Sequence, residues 1–157
     1  MRITPQPLTR TAFAPFGDVI DIPATPGRFY YDEALGDLRS GAAPSLSIAV
    51  KPPMSDRPFV TDMLERHEFS SQTFIPIDVG RWLIVVAPGG ADGRPDVRKA
   101  LAFIADGRVG VTYRANTWHH GLTTLDRPGS FAIFMWKAGT GDEEFVAVEP
   151  FTVPISE

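Results

Sequence analysis

Turn-forming residues come too often along this chain for long helices to fit between them. Fifteen prolines and fourteen glycines punctuate 157 residues, and the runs between them are short and rich in β-branched and aromatic side chains. That is the rhythm of an all-β sandwich or barrel. Strands are expected at Asp18 to Ile22, Ser45 to Lys51, Val60 to His67, Gln72 to Ile77, Arg81 to Ala87, Arg108 to Arg114, Ser130 to Lys137 and Phe145 to Phe151. Two short helices are expected: Thr9 to Phe16, opened by a capping threonine, and Pro95 to Ala102, opened by a proline whose missing N–H costs nothing there. Ala24 to Pro44 reads as the long loop, with Phe29, Tyr30 and Tyr31 placed to anchor it or to cover a pocket mouth.

A chain of this length supports one core, so a single domain over residues 1–157 is expected. A formal net charge of -4 with mixed signs offers no basic stripe for nucleic acid. The absence of cysteine excludes disulfides, thiolate-bound zinc and thiol nucleophiles. No apolar run approaches the ~20 residues of a membrane helix, and Met1-Arg2-Ile3-Thr4-Pro5 lacks the pattern of a secretion signal. The expectation is a cytoplasmic protein acting on a small molecule, without nucleic acid or membrane as partner.

All three histidines lie in two stretches, Leu64 to Pro76 and Gly110 to Gly121. Polar side chains inside apolar β-type sequence are costly unless paired, which points to a pocket lining. Alternation along a strand puts Met63, Glu65 and His67 on one face and Leu64 and Arg66 on the other. If Glu68 to Ser71 turns a hairpin, Gln72 returns beside His67, giving an acid, a base and an amide. His119 and His120 are adjacent, so in extended backbone one faces the pocket and the other does not; the sequence does not choose. Trp118 beside them is either a core aromatic or a pocket wall.

This spacing resembles the first metal-binding motif of cupins, His-x-His followed four or five residues later by Glu, with Glu65, His67 and Gln72 substituted into it and His119 or His120 as the later histidine. Two imidazoles, one carboxylate and an amide bind a divalent metal weakly. The sequence therefore requires no cofactor; any metal, of unknown identity, would take Glu65, His67, Gln72 and His119. The longer blocks Ala12-Phe13-Ala14-Pro15-Phe16-Gly17-Asp18-Val19-Ile20, Leu64-Glu65-Arg66-His67, Ser71-Gln72-Thr73-Phe74-Ile75-Pro76 and Trp118-His119-His120 resemble the ureidoglycolate lyase family, nearly end to end.

That resemblance implies a single cupin-like (jelly-roll) β-barrel with one or two short helices, homodimeric, eliminating urea from ureidoglycolate to give glyoxylate in allantoin catabolism. Its implied catalytic residues are Glu65, His67 and His119 or His120, with the histidine of the adjacent pair as base. Gln72, Tyr113, Arg114, Trp118, Lys137 and Arg66 are the implied substrate-binding set, Arg114 being first choice for the carboxylate and Arg66 and Lys137 in reserve. Two departures stand out: Arg114 and Gly121 replace a histidine and a proline of the family pattern, and Met135-Trp136-Lys137-Ala138 replaces Asp-Arg-Gly-Gly. These leave open a related enzyme for another small hydroxy or ureido acid, and a non-catalytic small-molecule-binding cupin.

Overall fold

The computed structural model describes residues 1–139 and 141–156. Its elements are β1 (Gln6–Pro7), α1 (Arg10–Phe13), β2 (Gly17–Ile20), β3 (Ala43–Lys51), β4 (Phe59–His67), β5 (Gln72–Asp78), β6 (Trp82–Ala87), a 3-10 turn (Val97–Lys99), β7 (Leu101–Ala105), β8 (Gly110–Tyr113), β9 (Trp118–His119), β10 (Thr123–Thr124), β11 (Gly129–Lys137) and β12 (Glu143–Val153). They form two sheets: β1-β7-β6-β9-β4-β12, with β10 also on β6, and β2-β8-β5-β11-β3. The fold is all-β, its two sheets remaining separate in hydrogen bonding among the described residues.

The strand β6 is apolar without alternation because both of its faces are covered. Trp82, Ile84 and Val86 enter the core shared by the sheets, with Phe13, Phe74, Phe103, Val111 and Phe131. Leu83, Val85 and Ala87 enter a second core with Leu64, Trp118, Phe151 and Val153. Each large side chain so buried contributes about 1.5–3 kcal/mol, which makes β6 the strand that both layers need.

The helix Arg10–Phe13 is one turn long, begun by Thr9, whose hydroxyl accepts from the Ala12 N–H at 3.1 Å. Phe13 anchors it, fully buried edge-on to Phe103. The second expected helix is a correction: Pro95 to Ala102 holds only the 3-10 turn, started by Asp96, and then gives way to β7. Phe103 and Ala105 face one core and Ala102 the other, and a run buried on both sides carries no strand alternation to read. The strands β1, β9 and β10, of two residues each, are too short to leave a pattern.

Glu68 to Ser71 is not a hairpin turn. β4 pairs with β9 and β12, whereas β5 pairs with β8 and β11, so the four residues carry the chain from one sheet to the other. Asp142, just ahead of β12, holds this crossing: its carboxylate accepts from the Phe69 N–H at 2.8 Å, the Ser70 N–H at 3.3 Å and the Ser70 hydroxyl. A register shift in β12 between Ala147 and Phe151 brackets Pro150, which has no N–H to give a ladder.

Gly17 sits where β2 meets β8. A Cβ there would lie 1.8 Å from the carbonyl oxygen of Thr112. Gly17→Ala is therefore expected to destabilise the fold by about 2 kcal/mol or more, read as a lower denaturant midpoint at unchanged slope.

Candidate active site

The period of the strands aims the polar groups. Leu64 lies in the second core and Arg66 over the Trp118 ring, 4.5 Å from its centre; Glu65 and His67 consequently face the space between the sheets. Strand β9 lies between β4 and β6, with His119 directly opposite Glu65 and Val86. From the other sheet, Gln72 opens β5 opposite Tyr113 of β8. Glu65, His119, Gln72 and Tyr113 thus come together from four strands.

His119 is 1% exposed and lies at the centre. Its Nδ1 donates to the Thr117 carbonyl at 2.9 Å, and a carbonyl only accepts, so Nδ1 carries a proton. Its Nε2 faces Gln72 Oε1 at 3.1 Å and Glu65 Oε1 at 3.3 Å. Each ring nitrogen therefore has an oxygen within hydrogen-bond reach. The Tyr113 ring stacks on it, centroids 4.1 Å apart and planes 18° apart.

Burial alone raises the Glu65 carboxyl. The hydrogen bond from His119, helped by the other imidazoles nearby, outweighs burial, so it is held below the usual carboxylate range. Tyr113 is pushed up by burial and then by the Glu65 charge, and stays a neutral phenol. His67 moves the other way. Burial, then the charge of His119, lowers its imidazole, and Asp142 and Glu65 only partly offset this. His67 is 4% exposed and neither ring nitrogen has a hydrogen-bond partner; Asp142 Oδ2 stands 3.7 Å from Nδ1.

Beside His67 and Gln72 opens a cavity of about 430 Å³, walled also by Arg39, Met135, Trp136 and Lys137. Neither Arg39 nor Asp142 stands out in the sequence, since both lie in loops. The single local signal is the spacing Asp37-x-Arg39, which returns as an ion pair of 2.6 Å.

Other expected site residues lie elsewhere. His120 turns to the opposite side of β9, edge-on to Phe59 at 4.7 Å between centroids, with Nδ1 donating to Gly121 O at 2.8 Å. Trp118 is core, its Nε1 donating to Gly93 O at 3.1 Å. Arg66 pairs with Glu144 at 2.6 Å on that same outer side. Arg114 follows inward-facing Tyr113 and so projects away from the cluster; it donates to Ala14 O and Pro15 O and lines a separate cavity of about 220 Å³ with Tyr30 and Tyr31. Of the aromatic run in the long loop, Tyr30 and Tyr31 thus border that second cavity.

The donor set does not fit a cupin metal centre. Among the described residues no three His, Asp or Glu side chains gather as ligands. His67 and His119 lie nearly face to face, centroids 6.0 Å apart and planes 28° apart, instead of aiming nitrogens at one point.

An all-β fold in which Gln72 reaches from a cavity wall to a carboxylate–imidazole pair offers a candidate small-molecule site. The sequence model of the ureidoglycolate lyase family matches residues 1–154, and the chain belongs to that family. A relative from Agrobacterium fabrum is 39% identical over 154 residues, 98% of this chain and 93% of its own. The ureidoglycolate lyase of Rhizobium etli strain CIAT 652 is 39% identical, covering 94% of this chain and 93% of its own. That of Mesorhizobium japonicum is also 39% identical, covering 92% of each. Among solved structures, a dTDP sugar isomerase from Desulfovibrio desulfuricans G20 matches with a TM-score of 0.47 at 16% identity, over 82% of this chain and 80% of its own.

Glu65→Gln removes the charge that His119 faces and is expected to cost about 2 kcal/mol at pH 7. Because the folded carboxyl is depressed, its stabilisation is complete above the unfolded value of about 4.3 and disappears as pH falls through the folded one. Denaturation of both proteins across pH 3 to 7 should show the gap closing at the acid end.

Proposed function

We propose that this protein is a ureidoglycolate lyase, a carbon–nitrogen lyase that releases urea from ureidoglycolate and leaves glyoxylate in allantoin catabolism. Family membership supplies the substrate class. The observation that carries the chemistry is the buried Glu65–His119 contact, next to a cavity whose other imidazole, His67, is uncharged and unpaired.

Ureidoglycolate is a carbinolamide. Its hydroxyl proton leaves, the oxygen lone pair forms the aldehyde C=O, the C–N electrons go to nitrogen, and that nitrogen takes a proton to become urea. No water is consumed and nothing is oxidised. The collapse needs a base at the hydroxyl, an acid at the leaving nitrogen and a cation at the carboxylate. Neutral His67 in the cavity wall suits the base. His119, donating from Nε2 and backed by Glu65, suits the acid. Gln72 fixes His119 with its oxygen and leaves its NH₂ for the substrate. With Arg114 directed elsewhere, Lys137 in the cavity wall is the cation for the carboxylate.

A second reading keeps the scaffold and changes the acid. It is favoured by Met135 and Trp136 of this wall, which stand where the family pattern has an Asp-Arg pair. The proposed setting is a cytoplasmic homodimer. Leu46, Ile48 and Val50 of β3 with Ile75 and Ile77 of β5 form an exposed apolar face that supports a second copy as partner.

The deciding assay is release of urea and glyoxylate from ureidoglycolate, measured against buffer and against His67→Asn, because this carbinolamide also decays unaided. Equimolar products above both controls are expected, with His67→Asn and His119→Asn each losing about 100-fold or more and His120→Asn losing less than about threefold. No excess over buffer would leave the altered-acid reading.

The pH profile is a separate check. His67 acts as base only when unprotonated, and its folded value is lowered, so the acid limb of kcat/KM should fall below the ordinary histidine value of about 6.5. A limb above 6.5 would assign the base to another group.

A further inference from the structure

Arg39 is the one guanidinium in the wall of the His67 cavity, and it is held from behind. Its Nε and Nη2 donate to Asp37, with Nη2 at 2.6 Å from Oδ2; Nη2 also reaches Trp136 O at 3.3 Å and Asp142 Oδ2 at 3.4 Å. The side chain is 12% exposed. That leaves Nη1 of this cavity-wall side chain buried with no partner. A buried N–H without an acceptor is costly, so one held in a cavity wall marks a place where an acceptor belongs.

The charge balance says what kind of acceptor. Two carboxylates, Asp37 and Asp142, face the single positive charge of Arg39. What Arg39 offers is therefore a fixed donor without surplus positive potential, which suits a neutral, polarisable oxygen better than a full anion. Resting on the lyase reading above, we propose that Arg39 Nη1 binds the ureido carbonyl oxygen of the substrate, and that Lys137 alone holds the carboxylate. As the C–N bond breaks, negative charge spreads from the leaving nitrogen onto that oxygen, and a donor already fixed by Asp37 and Asp142 stabilises it without reorganising.

The test separates the two ends of the substrate with stable probes. Ureidoacetate carries both the ureido group and the carboxylate but no hydroxyl to collapse; glycolate carries the carboxylate and no ureido group. By calorimetry, Arg39→Lys should weaken ureidoacetate about tenfold or more and leave glycolate within twofold, whereas Lys137→Gln should weaken both. Turnover of Arg39→Lys should fall in kcat as well as in kcat/KM. In the unaltered protein labelled with ¹⁵N-arginine, the Arg39 side-chain resonances should move on adding ureidoacetate and not on adding glycolate, a readout that survives if the variant misfolds. Equal losses for the two probes in Arg39→Lys, unchanged ureidoacetate binding, or silent Arg39 resonances would overturn the assignment. Binding is measured without turnover, so a protein that releases no urea would sink the lyase reading while the probe comparison still decides the role of Arg39.

Discussion

Strand β9 is two residues long, and both the sheet and the site hang on it. It hydrogen-bonds to β6 through Val86 and Ala87 and to β4 through Glu65, and so joins the β4–β12 ribbon to β6 in the strand order of its sheet. Its two side chains serve opposite faces. Trp118 fills the second core, and His119 enters the space between the sheets. A strand this short has almost no ladder of its own to hold it. It is kept in place by what those two rings touch: Gly93 O and the Arg66 cation on one side, Glu65, Gln72 and Tyr113 on the other.

The part of the site that was legible in the sequence is the part governed by the two-residue period. Glu65 and His67 share a face because they are two apart on a strand, and the adjacent pair His119 and His120 divides between two faces for the same reason. The same rule, applied to Tyr113 and Arg114, separates them as well: a stacked inward tyrosine sends the next residue outward. Three-dimensional neighbours supplied by loops were not legible. Arg39 and Asp142 are more than a hundred residues apart in the chain and meet only because both pack beside the crossing from β4 to β5. The crossing is not distinguishable from a hairpin by length, because four residues suit either connection, and only the pairing partners of β4 and β5 separate them.

The structure places its least satisfied groups around one cavity. His67, Arg39 and Trp136 each keep a buried nitrogen without a partner, while the charges nearest them, Asp142 and Asp37, are engaged several times over. A fold selected only for stability would pair these nitrogens. Instead the cost is concentrated where a ligand can offset it, and the carboxylates that could have satisfied the nitrogens are occupied in fixing the chain crossing.

The hydrogen bond between Gln72 and His119 also spans the gap between the two sheets, since one residue begins β5 and the other ends β9. It makes the site a gauge of layer spacing. Any substitution that thickens or thins the shared core, at Phe74 or Phe131 for instance, moves the amide relative to the imidazole even though neither residue is touched. Tolerance of the enzyme to core change is then set by the reach of one amide, about 3.1 Å, and not by the stability margin of the fold.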